Sequence, residues 1–218
     1  MHKFDESTED LASAIFRYSL DRVRTDPPLD GPRSHQELWE AVGQTITEEG
    51  LGGETVLTAF ADHLAPACLS SDHPRFLSFV PGAPTNASVL FDLVVGASAM
   101  CAASWLEAAG TVYAENQALR WVADLVGLPE DAGGCFASGG TMGNLSALIV
   151  GRDQAMRRRE AAGSGRPTRW SVVASDGAHS SIDSAARVMD VDVLLAATDD
   201  DRRLRGDAVR AAIAARPE

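Results

Sequence analysis

Two short stretches of this chain carry residue types that could bind a small molecule and act on it. The first is the Ser-Gly-Gly-Thr turn at 138–141, between a predicted strand at 135–138 and a predicted helix at 141–160. The first N–H groups of a helix lack partners within it and carry the positive end of its dipole, so they favour phosphate. Gly139 and Gly140 would let an anion approach the backbone, and Thr141 could add a hydroxyl donor.

The turn does not identify a ligand by itself. Ser138 stands where a dinucleotide-binding G-x-G-x-x-G pattern has its first glycine, and the G-K-[ST] ending of a P-loop is missing. The sequence has one lysine, Lys3, against eighteen arginines. Considered alone, a glycine-rich turn without a ligand is as good an interpretation as a phosphate site.

The second stretch contains His179 and directly follows a predicted strand at 170–175. From residue 134 onward predicted strands and helices alternate, which is typical of a largely parallel sheet with helices on its faces. Ligands of such sheets bind beyond the carboxyl ends of the strands, so His179 and the turn would share one edge. The remaining predicted elements are a helix at 180–189, a strand at 191–197 and a helix at 206–215.

A plainer interpretation of His179 stays open: it would simply precede a helix that is capped by Ser180, with Asp183 completing a capping box. Two ligand-type features at successive strand ends favour a site.

The first 72 residues are predicted to form three helices. The first would be capped by Ser7 and end before Pro27. The second would open at Ser34, with Glu37 completing a capping box, and end near Gly50, and the third would span 56–64. Their apolar surface is too small for independent folding, so we expect them to pack on the rest of the protein or on another subunit.

Residues 73–84 form a proline-punctuated, aromatic stretch that predicts an extended loop, either a binding loop or a plain connector. A helix capped by Asn86 is apolar nearly all round and is therefore expected to be buried. Another helix is predicted at 111–126, with Glu115 capping its first turn and Gly127 ending it.

Composition and charge exclude several classes of partner. The chain has 218 residues, a net charge of −12 and a pI near 4.8, which argues against nucleic acid or an anionic membrane surface as the main partner. Its three cysteines, Cys68, Cys101 and Cys135, are widely spaced in apolar surroundings, which favours buried thiols over disulfides or a zinc site. With no apolar signal region, we expect a cytoplasmic protein and no metal site.

Several blocks in order resemble the group II pyridoxal-phosphate-dependent amino-acid decarboxylases. The resemblance covers roughly residues 55–218, and the blocks together are far more specific than any one of them. They are His73-Pro74-Arg75-Phe76, the Trp105 region followed by Glu115 to Trp121, the turn and helix start at 138–148, and Ser175-Asp176-Gly177-Ala178-His179-Ser180-Ser181.

The resemblance implies a fold, a cofactor and an assembly. The fold would be α/β, of the type I aminotransferase-like class, with a helical segment at 1–72 that wraps around a partner subunit. Residues 73–218 would form the first part of the cofactor-binding large domain. The cofactor would be pyridoxal 5'-phosphate, the substrate an L-amino acid, the reaction decarboxylation, and the assembly a homodimer.

The resemblance also implies roles for individual residues. Gly140 and Thr141, with Ser138 and Gly139 of the same turn, match positions that hold the cofactor phosphate. His179 matches the histidine that stacks on the pyridine ring beside the substrate and would be the catalytic residue. The substrate-side loop corresponds to Pro81-Gly82, with Phe79 nearby; aromatic-amino-acid members usually have Pro-Thr there, so Gly82 argues against an aromatic substrate.

One family feature has no counterpart in these residues. Members carry a Schiff-base lysine and an aspartate that pairs with the pyridine nitrogen, both beyond the equivalent of residue 218. We therefore expect this sequence to be the N-terminal portion of a longer enzyme and to be inactive alone. The alternatives are a non-catalytic or partner-dependent truncated paralogue, another pyridoxal-phosphate reaction such as transamination or lyase chemistry, and, more weakly, a phosphosugar- or nucleotide-binding domain.

Overall fold

The computed structural model describes residues 4–216. The chain divides after Cys101 into two compact units, which are described separately below. None of the helices in the described range combines the length and the apolar character that a membrane span requires.

The first unit is entirely helical in its regular structure. Its α-helices are α1 (Glu6–Arg24), α2 (His35–Val42), α3 (Gly53–Ala59) and α4 (Asn86–Ser98), and α3 continues through a π-helical turn (Phe60–Leu64) into a 3-10 turn (Ala65–Ala67).

The helix starts in this unit follow local capping chemistry. The predicted capping box of α2 is confirmed: Ser34 Oγ accepts from Glu37 N, and Ser34 N donates to Glu37 Oε2 at 2.7 Å. The predicted cap of α1 is wrong, because the Asp5 carboxylate accepts from Thr8 N while Ser7 Oγ donates to Asp5 Oδ1 at 2.8 Å. A carboxylate is the stronger acceptor, and the cap lies two residues before the predicted one.

Two further boundaries in the first unit differ from the predictions. Helix α2 ends at Val42 rather than near Gly50, because Gly43 adopts a φ of +65° and its N–H closes on Trp39 O. Glycine accepts this backbone conformation without strain. Helix α4 is capped by Thr85, one residue before the predicted Asn86, and Thr85 Oγ1 accepts from Ser88 N at 3.2 Å.

The expected burial of α4 is wrong within this chain. Phe91 is 65% exposed and Leu93 is 58% exposed, so the apolar circumference of the helix has no cover among the described residues. The expected burial of the cysteines is also wrong, since all three thiols are exposed. Apolar sequence surroundings predict burial only when a packing partner is present, and here the neighbouring apolar side chains are themselves exposed.

The second unit contains the parallel sheet. Strands β1 (Ser171–Ser175) and β2 (Asp192–Ala196) pair in parallel, with Ser171 opposite Asp192 and Ser175 opposite Ala196. The helices of this unit are α5 (Trp105–Leu125), α6 (Gly140–Ala161), α7 (Ser181–Met189) and α8 (Gly206–Ala214). The predicted alternation from 141 to 215 is confirmed to within one or two residues at each boundary.

Most of the buried side chains of the second unit lie in this βαβ crossover, and the exception is Ala123 of α5. Ala174 of β1, Ala196 of β2, and Ala185 and Ala186 of α7 are buried, as is the hydroxyl-bearing Ser181. Small side chains let α7 approach the strands closely, so the carboxyl end of β1 and the start of α7 form the most firmly packed part of the unit.

The predicted strand at 135–138 is absent from the structure, where these residues form an irregular segment. A strand needs a neighbour that completes its hydrogen-bond ladder, and the described sheet consists of β1 and β2 alone. The segment is fixed instead by a side chain, because Phe136 N donates to Glu115 Oε1 at 3.3 Å.

That contact corrects the prediction for Glu115. Helix α5 begins at Trp105, capped by Ser104, and not at Thr111, so Glu115 lies in the middle of the helix rather than in its first turn. The helix has a break at Ala108 (φ −149°, ψ 54°), which interrupts its first turns and obscures its true start in the sequence pattern. Its end is as predicted, with Gly127 at a φ of +73°.

Candidate functional site

At the start of α6 the first backbone N–H groups have no hydrogen-bond partner among residues 4–216. Gly139 precedes the helix with a φ of +144°, no side chain caps it, and its first turn holds no acidic residue. The first backbone bond of the helix runs from Gly143 N to Gly139 O at 3.0 Å. The N–H groups of Gly140, Thr141 and Met142 therefore have no carbonyl within the helix to receive them.

The space in front of this helix start is open. A β-carbon placed on Gly139 or Gly140 would meet no atom within 4 Å apart from those of the adjoining residues and the local helix backbone. Thr141 is exposed at the second helical position. Three free N–H groups, the positive end of a helix of 22 residues and a hydroxyl together suit an anion with several oxygen atoms.

His179 lies in the turn between β1 and α7 and is tied down by one ring nitrogen. Its Nδ1 accepts from Ser181 N at 3.1 Å and lies 2.9 Å from Ser181 Oγ. The ring is otherwise exposed. The predicted capping role of Ser180 is wrong: Ser180 has helical backbone angles and its side chain makes no cap, because the imidazole supplies the acceptor instead.

A side-chain hydrogen bond joins the two predicted features. Asn144, in the second turn of α6, donates from Nδ2 to Ser181 Oγ at 2.8 Å. Ser181 is the first residue of α7 and is only 2% exposed. The helix that follows the Ser-Gly-Gly-Thr turn is thus linked through Ser181 to the ring of His179.

Sequence reasoning singled out neither Asn144 nor Ser181. Both lie within the quoted motifs, yet a polar side chain inside an apolar helix has no distinguishing pattern of its own. Their positions in the sequence could have indicated them. Asn144 follows Gly140 by four residues, which places it one turn along the same helix face, and Ser181 follows His179 by two residues.

His179 lies beyond the carboxyl end of β1, as predicted, and hydrogen bonds join the loops that leave the two strands. Asp176 N, just beyond β1, donates to Ala196 O at the end of β2 at 3.1 Å. Thr198 Oγ1 donates to Asp176 Oδ1 at 3.1 Å, which joins the two loops that leave the strands. His179 therefore stands on a turn that is braced from both strands.

The three residues predicted to face the substrate belong to the other unit. Phe79 and Val80 have φ values of +61° and +51°, which non-glycine residues rarely adopt, and they are 87% and 98% exposed. Pro81 and Gly82 follow in the same exposed, irregular segment. A role for Phe79, Pro81 and Gly82 in substrate binding stays a prediction.

Similar proteins are amino-acid decarboxylases. An aromatic-L-amino-acid decarboxylase from Bacillus atrophaeus is 31% identical over 146 residues, which are 67% of this chain and 29% of that protein. An L-2,4-diaminobutyrate decarboxylase from Acinetobacter baumannii is 26% identical over 139 residues, or 64% of this chain and 27% of the relative. The chain thus spans about a third or less of the length of these curated relatives.

Solved structures show the same fold. Oryza sativa TDC with PLP and tryptamine superposes with a TM-score of 0.81 at 19% identity, over 99% of this chain and 48% of that structure. The glutamate decarboxylase domain of a Vibrio parahaemolyticus protein gives 0.77 at 20% identity, over 99% and 49%. The expected type I fold is confirmed.

The model of the pyridoxal-dependent decarboxylase conserved domain matches residues 36–218, which is most of the chain. This match includes the turn at the start of α6, His179 and the two residues that connect them. The expected cofactor, pyridoxal phosphate, is confirmed as that of the family. The chain belongs to the pyridoxal-dependent decarboxylase family.

Proposed function

We propose that this chain provides the phosphate-binding turn and the ring-stacking histidine of an enzyme that decarboxylates an L-amino acid with pyridoxal phosphate. One observation carries the proposal: the uncapped start of α6 is linked by Asn144 and Ser181 to an exposed imidazole whose other side is fixed. An anion site and an aromatic ring in fixed relation suit a planar ligand that carries a phosphate.

The phosphate end of the cofactor fits the start of α6. The N–H groups of Gly140 and Thr141 would donate to phosphate oxygens, and the Thr141 hydroxyl would add a further donor. Ser138 and Gly139 lead the chain into this turn, and Gly139 allows the positive φ that it requires. No acidic residue stands in the first turn to repel the phosphate.

His179 fits the ring end. Because Nδ1 is engaged by Ser181, the imidazole is fixed while its exposed part stays available to pack against a flat aromatic ligand. Bound pyridoxal phosphate supplies an electron-withdrawing ring that accepts the electron pair released when the substrate carboxylate leaves as carbon dioxide. His179 would orient that ring and the substrate beside it, which is the contribution expected of a positioning group in a cofactor enzyme.

In the overall reaction the bond between the α-carbon and the carboxylate breaks, carbon dioxide leaves, and a proton takes its place on that carbon. Relatives named for aromatic amino acids and for diaminobutyrate leave the substrate class open. We propose a non-aromatic substrate, because Gly82 stands in the predicted substrate-side segment where the resemblance leads us to expect threonine in aromatic-specific members.

We further propose that the active protein is a cytoplasmic homodimer. Exposed apolar side chains on α4, such as Phe91 and Leu93, are consistent with a surface that another polypeptide covers. Sedimentation of the full-length protein at several concentrations would measure this. A monomer at all concentrations would exclude the dimer.

The experiment that tests the function uses the full-length protein with added pyridoxal phosphate and a panel of L-amino acids. Release of carbon dioxide together with the matching amine is expected for one substrate class. An aldehyde or a keto acid as the product would indicate a different pyridoxal-phosphate reaction, and no turnover with bound cofactor would favour a non-catalytic role. Borohydride reduction followed by peptide mapping would show which lysine, Lys3 or one outside these 218 residues, holds the cofactor.

A further inference from the structure

We propose that Ser181 and Asn144 are positioning residues that fix the tautomer and the orientation of the His179 ring, with its proton on Nε2. This inference rests on the proposed function, because it concerns the histidine of that site. It adds two residues that neither the motifs nor the comparisons assign.

The tautomer follows from the backbone. Ser181 N carries a hydrogen and can only donate, so His179 Nδ1, at 3.1 Å, must be the acceptor. A neutral imidazole has one protonated nitrogen and one acceptor nitrogen. With Nδ1 as the acceptor, the proton lies on Nε2, where the exposed part of the ring can donate to a bound molecule.

The Ser181 hydroxyl reinforces this arrangement. It accepts from Asn144 Nδ2 at 2.8 Å, because the amide nitrogen can only donate. Its own proton is then free to point at His179 Nδ1, 2.9 Å away. Asn144, Ser181 and His179 thus form a directed series of hydrogen bonds, in which Nδ1 is the shared acceptor of the N–H and the hydroxyl of Ser181.

The burial of Ser181 makes these hydrogen bonds restrict the orientation of the His179 ring. At 2% exposure the hydroxyl has little access to water, so its partners must come from the protein. Ser181 begins α7 and Asn144 lies in α6, and these helices pack together. The ring of His179 is therefore held relative to the same helix whose start would bind the phosphate.

The first test is nitrogen NMR of the full-length protein labelled with ¹⁵N-histidine, with the His179 signals assigned by their loss in His179→Gln. We expect a non-protonated Nδ1 and a protonated Nε2 in the wild type, with and without cofactor. A wild-type ring protonated on Nδ1 would overturn the proposal. The measurement needs no activity, so it stays informative if the proposed reaction is wrong.

The second test compares Ser181→Ala, Asn144→Ala and the double variant, with Ser180→Ala as the matched control. Ser180 is the adjacent serine, and its side chain makes no cap. In Ser181→Ala and Asn144→Ala the backbone N–H of residue 181 remains and still favours Nδ1 as the acceptor. We therefore expect Nε2 to stay protonated in the major form, the other tautomer to become detectable, and kcat to fall by about tenfold, as for the loss of one hydrogen bond, with KM nearly unchanged. Ser180→Ala should keep the wild-type spectrum and rate.

The double variant tests whether Asn144 acts on His179 through Ser181. If Asn144 acts through Ser181, the double variant should match Ser181→Ala, whereas independent roles would multiply the two losses. Multiplied losses, or wild-type spectra in both single variants, would overturn the proposal. Asn144→Ala changes a partly exposed side chain, so it remains a usable test if Ser181→Ala does not fold. Expected spectra without turnover would support the positioning chain and refute only the proposed reaction.

Discussion

Helices α6 and α7 begin close to the same edge of the sheet, but they satisfy their first N–H groups in opposite ways. The start of α7 is closed by the protein itself, since His179 Nδ1 accepts from Ser181 N. The start of α6 is left open, with glycine before it and no side-chain cap. One helix start donates to a side chain that it fixes, and the other leaves its donors open, where we propose that the phosphate binds.

The difference between a capped and an uncapped helix start affects the stability of the protein without ligand. A capped helix start is stabilised in the empty protein, typically by about 1 kcal/mol, whereas an uncapped start forgoes that stability until an anion arrives. Helices α1, α2 and α5 combine a side-chain cap with an acidic residue in the first turn. The start of α6 has neither, and we attribute this to ligand binding.

The largest expected effect comes from removing the His179 ring. In the full-length enzyme His179→Ala should lower kcat by about 100-fold, because a misplaced reacting group costs roughly that much, while the free energy of unfolding falls only by about 1 kcal/mol through the lost cap. Steady-state kinetics and thermal unfolding measure the two effects.

His179→Asn is the matched control for that variant. An asparagine side chain can accept from the backbone N–H two residues on, as the imidazole does now, so it should restore the stability but not the rate. Wild-type turnover in His179→Asn would remove the ring from the mechanism and leave His179 as a cap.

The second effect tests the open start of α6. Gly140→Asp places a carboxylate at the first helical position, where it should interact favourably with the helix dipole and repel a phosphate. We expect the apparent Kd for pyridoxal phosphate to rise by about tenfold relative to Gly140→Asn, which has a similar shape and no charge. Without cofactor, the melting temperature of Gly140→Asp should be equal to or higher than that of Gly140→Asn.

These opposite shifts in affinity and stability are the distinguishing result. If Gly140→Asp and Gly140→Asn bind the cofactor equally well, the start of α6 does not hold the phosphate. A cofactor absorbance titration and a thermal melt on the same samples are sufficient.

The sequence predicted the elements whose partners lie nearby in the chain. The capping box at Ser34 joins residues three positions apart, and β1 and β2 are present because each supplies the other's partner across a single helix. Two predictions failed where a distant partner decides, since the strand at 135–138 lacks a neighbouring strand and α4 is exposed. The predicted cap of α7 failed for a local reason, because the His179 ring accepts the bond predicted for Ser180.

The candidate site shows the same division. The turn at Gly140 could be predicted because glycine placement and helix polarity are sequence properties. The link from Asn144 to Ser181 joins residues 37 positions apart, and no spacing rule relates them. Only the packing of α6 against α7 brings their side chains within hydrogen-bond distance.

The smallest expected effect concerns the capped start of α2. Its contribution to stability should depend on pH, which tests how a capped helix start differs from the uncapped start of α6. The Ser34 hydroxyl, followed by the Ser34 N–H, holds the pKa of Glu37 below its usual range. A carboxylate with a lowered pKa in the folded state stabilises the protein fully above its unfolded pKa, and that contribution is lost as the pH falls through the folded pKa. Glu37→Gln should therefore be slightly less stable than the wild type at neutral pH, and the difference should vanish in acid.

Urea unfolding of Glu37→Gln at a series of pH values would measure this difference in stability. Glu49→Gln, beyond the end of α2, is the control for removing a carboxylate that is not part of the capping box. The control should keep the pH dependence of the wild type. If Glu37→Gln keeps it as well, the capping box contributes nothing through the Glu37 charge. In that case the acidic residue at the start of α2 would not stabilise that helix through its charge. Any preference of the start of α6 for an anion would then have to come from its uncapped N–H groups, and not from its lack of an acidic residue.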